Sequence, residues 1–203
     1  MNVGDVWAVS PAGAADAVYF RAVATHGAGA LTLLQNNFVA AGALNGSGYR
    51  ITLTSVGDLS GVTYTIVGMK VGDQTNTVTE AIAGGSTATV TTTNYWSSIT
   101  SITASGTSGA STLSIGYAVN LALPRTRIRA WSYVGAASAG SLKVTMNSTT
   151  GTTILNLDTP ASATFAGGLN FPMNGILVGR SAASTDFGIV VMTQITKATL
   201  FCG

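Results

Sequence analysis

Charge is what this sequence has least of. Asp, Glu, Lys and Arg make up 8% of its 203 residues, where a folded domain usually carries about 25%. Such a surface must be built largely from Thr, Ser, Gly and Ala. Short side chains have few rotamers to lose, so contact with a neighbour costs them little entropy. The same composition holds 46% hydrophobic residues, which excludes a disordered polar chain. Cysteine and histidine are nearly missing as well: Cys202 and His26 stand alone. One of each cannot supply a structural zinc site within a chain, and a lone cysteine cannot close an internal disulfide. Cys202 is expected to be a small buried hydrophobe, with an inter-chain bridge as the alternative.

The formal net charge is +2, which offers no electrostatic grip on nucleic acid or on an anionic membrane. The opening Met-Asn-Val-Gly-Asp-Val lacks the basic start and apolar core of a secretory signal, so synthesis in a cytoplasm is expected. The Ala-rich stretch from Ala12 to Leu34 is interrupted by Asp16, Arg21 and His26, which makes it a poor bilayer span.

Candidates for chemistry are few. His26 would need an orienting carboxylate to act as a general base, and Asp16 is the nearest in sequence; the simpler reading is an exposed or capping histidine. Ala136-Ala-Ser138-Ala-Gly140 lacks the first glycine of a nucleophile elbow and reads as a loop. Gly27-Ala-Gly29 lacks the remainder of a dinucleotide fingerprint and reads as a turn. The carboxylates Asp5, Asp16, Asp58, Asp73, Glu80, Asp158 and Asp186 are scattered, and no calcium-loop spacing joins them. No catalytic residue, metal or cofactor is expected, and the chain is read as a non-enzyme.

What the sequence does have is strands. Val62, Tyr64 and Ile66 alternate with polar residues, which puts the three on one face of a strand. Ile51–Leu53, Thr77–Ile82, Thr87–Thr91, Ile99–Ala104 and Leu113–Tyr117 are similar β-branched runs. Gly57-Asp58, Gly72-Asp73, Gly84-Gly85 and Ser105-Gly106 punctuate them. Beyond Pro124 a second block repeats the habit, over Thr126–Val134, Leu142–Met146, Thr152–Leu157, Gly175–Val178, Phe187–Met192 and Ala198–Phe201. Short runs with turn signals every ~8–12 residues point to an all-β, Ig-like or jelly-roll-type β-sandwich. Residues 1–45 form an N-terminal arm, 46–120 a β-sandwich domain and 121–203 a second β-rich domain. The pattern leaves open whether the two blocks are two sandwiches or one. Within the arm, Val18–Val23 reads as a strand or a short helix.

The segment from Arg50 to Tyr117 also carries a resemblance. Arg50-Ile-Thr-Leu-Thr-Ser-Val-Gly-Asp-Leu-Ser-Gly-Val-Thr-Tyr-Thr-Ile-Val-Gly, then Val78-Thr-Glu80, then Tyr95-Trp96-Ser-Ser-Ile-Thr-Ser-Ile resembles a recurring unit of tailed-bacteriophage virion proteins. Phe171-Pro172-Met173-Asn174-Gly175-Ile176 looks like the second half of such a protein. The family's hairpin before Val-Thr-Glu is usually longer and more polar than Met69-Lys-Val-Gly-Asp, so no ligand loop is implied here. The resemblance implies a virion protein of the capsid decoration (cement) or head-fibre type, as a homotrimer; the reading taken is a decoration protein that bridges major capsid proteins on the virion surface. The alternative within the virion is a head-fibre, tail or adhesin component that grips a host glycan or protein.

An interface is therefore expected. Arg125, Arg127 and Arg129 alternate, and an unbroken strand would put all three guanidinium groups on one face. That stripe reads either as protection of a strand edge or as a clamp for a partner's carboxylates. Trp131 and Tyr133 extend the face, or turn into the core if the strand bulges. Tyr19 and Phe20 are the arm's expected contacts with a neighbour.

Overall fold

The computed structural model describes residues 7–9, 14–38, 46–165, 176–178 and 187–202. Among these there is no helix, and none therefore long and apolar enough to cross a membrane. The strands are β1 (Trp7–Val9), β2 (Asp16–Ala24), β3 (Gly29–Ala30), β4 (Ile51–Val56), β5 (Thr63–Lys70), β6 (Asp73–Ala83), β7 (Thr89–Thr91), β8 (Trp96–Ala104) and β9 (Thr112–Tyr117). They continue as β10 (Leu121–Leu123), β11 (Thr126–Gly135), β12 (Gly140–Met146), β13 (Thr153–Thr159), β14 (Thr164–Phe165), β15 (Ile176–Val178), β16 (Gly188–Thr193) and β17 (Ile195–Cys202). The fold is all-β, with antiparallel sheets in the manner of a β-sandwich. Thr, Val and Ile dominate these segments, and their branched side chains favour the pleated backbone over the helix.

The chain divides into two compact units. The first unit spans Ala14–Phe38 and Tyr49–Val119. The second takes in β1, residues 46–48 and the chain from Asn120 onward.

In the first unit one sheet has the order β2-β9-β4-β7 and the other β3-β8-β5-β6. Period two sorts each strand. Ile51 and Leu53 of β4 are paired with Tyr117 and Ile115 of β9, and all four are buried. Tyr64 and Ile66 of β5 are paired with Ala104 and Ile102 of β8, and these are buried too. The alternation of Val62, Tyr64 and Ile66 is thus the core face, as the sequence pattern indicates. The hairpin from β5 to β6 turns through Gly72, whose φ of 86° suits glycine. Asp73 then fixes the turn by accepting the Thr75 and Asn76 amides on Oδ1.

The arm expected over residues 1–45 is divided. Its residues 1–6, 10–13 and 39–45 lie outside the described residues. Asp16–Ala24 is a strand, not a helix, and it is built into the first unit against β9. It packs closely: a Cβ on Gly116 would meet the Asp16 carbonyl oxygen at 1.7 Å, so only glycine admits β2 there. The β2–β9 ladder is broken, with register shifts between Asp16 and Arg21 and between Arg21 and Ala24. Rings make up the deficit. Phe38 meets Phe20 edge-on at 4.9 Å and lies 5.5 Å from Tyr49, while Tyr117 is 5.0 Å from Tyr19 and 4.6 Å from Tyr49.

In the second unit one sheet runs β1-β17-β11-β14, with β15 also paired to β11; the other runs β10-β16-β12-β13. Its core is mainly aliphatic: Leu121, Leu123, Ile128, Leu142, Val144, Val178, Ile189 and Leu200 are fully covered. Cys202 lies among them with no exposed surface. Burial pushes its thiol up to about 12, with the Thr126 hydroxyl pulling the other way.

Candidate protein interface

The outer face of the sheet containing β11 is the place where the expected interface can be tested. An unbroken β11 would point residues 125, 127, 129, 131 and 133 the same way. It is broken by a bulge: Ile128 is opposite Cys202 but Ala130 is opposite Phe201, so Arg129 is the additional residue. The insertion reverses the parity of everything after it. Ile128, Trp131 and Tyr133 consequently share the inner face and are buried. Arg125 is exposed and Arg127 half-buried on the outer side. Arg129 sits in the kink, and its Nε is buried without a hydrogen-bond partner among the described residues. The single stripe of three arginines therefore reduces to Arg125 and Arg127, and Trp131 belongs to the core.

The same geometry brings in two residues that the sequence reading passed over. Leu177 of β15 is directly opposite Arg127 and is 36% exposed. Phe201 of β17 is opposite Ala130 and is 37% exposed. Large apolar side chains held open on a pleated face beside guanidinium groups are the composition favoured at protein interfaces. Alternation within Thr199–Cys202 could have placed Phe201 outward, because buried Leu200 and Cys202 flank it. Leu177 had no such signal in a strand of only three residues. The other expected contacts lie elsewhere: Phe20 is fully buried and Tyr19 half-buried in the ring cluster of the first unit. Phe171–Ile176 lies outside the described residues up to Gly175.

The remaining candidates for chemistry are engaged in holding the chain. The His26 ring bonds the Gly27 carbonyl through Nδ1 at 2.9 Å. A proton on Nδ1 leaves Nε2 to accept from the Tyr64 hydroxyl at 2.9 Å. The neighbouring Ser108 hydroxyl does not reach the ring; it accepts the His26 amide at 2.8 Å. Burial raises the Tyr64 phenol above its ordinary value, while the nearby Arg21 charge acts in the opposite sense. Ser138 is on an exposed loop.

Glu80 carries the clearest positioning role. Its carboxylate accepts the Thr93 amide at 2.6 Å, the Asn94 amide at 3.1 Å and the Asn94 side-chain amide at 2.8 Å. From the other side, Arg50 Nε donates to the Thr92 carbonyl, and the Thr92 hydroxyl accepts the Ile51 amide. The Val-Thr-Glu and Tyr-Trp segments, distant in sequence, are thereby joined: Glu80 fixes the crossing from β7 to β8 that leads to buried Trp96. Among the described residues no three His, Cys, Asp or Glu side chains gather as a metal site would require. No family model, curated protein or solved structure matches the chain.

Proposed function

We propose that this chain is a non-catalytic structural protein of a bacteriophage virion, a decoration protein that seats on the assembled capsid and bridges its major capsid proteins. The observation that carries this reading is the outer face of β11, β15 and β17. There Leu177 and Phe201 stand open beside Arg125 and Arg127 on a rigid pleat. The chain's resemblance to tailed-phage virion proteins supports it from the sequence side, and implies a trimer. A ligand that binds only the closed shell stabilises that shell by mass action, which requires a surface for docking and no catalytic group.

The test is co-sedimentation with capsids assembled without the protein. The wild type is expected to pellet with them and to raise the temperature at which they open. Phe201→Ser combined with Arg127→Glu should weaken binding by ~100-fold, since truncated apolar anchors and reversed charges each cost affinity. Failure of the wild type to pellet, or a double variant that pellets equally well, would refute the reading.

A further inference from the structure

A strand at the edge of a sheet exposes a row of unpaired amides and carbonyls, and proteins generally blunt such edges. The edges of this molecule differ in how well this is done. In the first unit β3 has two residues and β7 three. β2 is interrupted by two register shifts and carries Asp16 and Arg21. In the second unit β1, β10, β14 and β15 have three residues or fewer. β13 is longer, but it carries exposed Asp158 and runs into Pro160. β6 has a register shift and Asp73 only at its turn end, and from Thr77 to Ala83 its ladder with β5 runs without a break. It is 11 residues long, lies at the end of its sheet and contains no proline or lysine.

The direction of its open groups follows from the register. The Thr63 carbonyl of β5 accepts from Ser105, and the Thr63 amide bonds the Ser105 hydroxyl, so the backbone of Thr63 faces β8. Thr65 and Val67 follow the same alternation. Their partners across the ladder, Ala83, Ala81 and Thr79, therefore direct their own amides and carbonyls away from β5. Thr77 continues the row. All four side chains are exposed on the outer face. The neighbouring outward residues are Thr63, Thr65, Val67 and Met69 of β5 and Ser98, Ser101 and Thr103 of β8. None of these outward residues is charged. Of the two acids within the strand, Asp73 stands at its turn end, where it accepts the Thr75 and Asn76 amides, and Glu80 is turned to the Thr93–Asn94 loop.

We infer that β6 is a pairing edge for a second copy of this chain, joined antiparallel about a two-fold axis so that the sheet continues from one molecule into the next. A strand edge of this length is matched by another of equal length, and among the described edge strands only β6 itself is that long. Centring the two-fold on Thr79 sets Thr79 against Thr79 and Thr77 against Ala81. It also places Glu80 beside Val78 of the other copy rather than beside a second carboxylate. Edge pairing of this kind is a main-chain interaction with side chains setting register. The inference is independent of any capsid.

Sedimentation velocity over a hundredfold range of concentration tests it, using the full chain. Thr79→Pro removes one outward amide, a change that edge strands tolerate. Ala81→Lys places a charge beside the edge without touching the backbone, and serves if the proline variant does not fold. The wild type should associate as concentration rises, and both variants should do so at least ~10-fold more weakly. In the wild type the amides of Thr77, Thr79, Ala81 and Ala83 should exchange slowly at high concentration and quickly after dilution. A wild type of constant mass, or a folded variant that associates like the wild type, overturns the proposal.

Discussion

The first strand of one unit and the last strand of the other reach their sheets by different means. β17 lies between β1 and β11 and is held to β11 by seven matched positions from Ile128–Cys202 to Gly135–Ile195, across two register shifts. β2 has only three matched positions against β9 and two breaks between them. What secures β2 is side-chain packing: Tyr19 and Phe20 enter a cluster with Phe38, Tyr49 and Tyr117. A strand can thus be fixed by rings where its ladder is poor, and each kind of attachment should fail differently.

The sharpest test of that difference is a pair of truncations. Phe38→Ala should destabilise the first unit by about 3–5 kcal/mol, because a fully buried ring is deleted and a void remains. Amide exchange in β2 should accelerate first. Leu200→Ala in β17 should cost about 2–5 kcal/mol, with β17 amides retaining their protection relative to their own unit, since the ladder persists. Denaturant titration with residue-resolved exchange distinguishes the two; equal local loosening of β2 and β17 would break the comparison.

A smaller effect is expected where the first unit is pinned by polar side chains. Glu80→Ala removes the acceptor of the Thr93 and Asn94 amides and should cost about 1–2 kcal/mol at this half-exposed position. Faster exchange at Thr93 and Asn94 checks it. Glu80→Gln should recover part of the loss, since one oxygen remains to accept.

The smallest is electrostatic. Asp73 has its carboxyl held below the ordinary 3.8, first by the Asn76 side chain and then by the Asn76 and Thr75 amides. A folded value below the unfolded one means the stabilisation is fully present above pH 3.8 and disappears as pH falls through the lower, folded value. The Asn76 amide resonance should therefore titrate with a midpoint below 3.8, and Asp73→Asn should abolish that titration. A midpoint at the ordinary value would show the turn to be unpinned.

The β-class and most strand positions were legible because period two survives wherever one face is buried. Val62, Tyr64 and Ile66 show this, and so do Leu113, Ile115 and Tyr117. Legibility failed where the pleat is broken. The alternation of Arg125, Arg127 and Arg129 is real in the sequence, but a bulge adds a residue without changing residue type, so nothing marked Arg129 as the place where the face reverses. Trp131 was moved to the core by that one insertion. The integration of β2 was hidden for another reason: its attachment depends on rings at positions 38, 49 and 117, and spacing along the chain does not reveal which rings meet.

One consequence follows from the place of Cys202. Without exposed surface, and with burial raising its pKa, the thiol is shielded from an alkylating reagent while the end of β17 stays paired. Because it is the chain's single sulfhydryl, each labelling event reports one opening at the end of that strand. The molecule thus carries its own reporter on the second unit, readable by mass after alkylation.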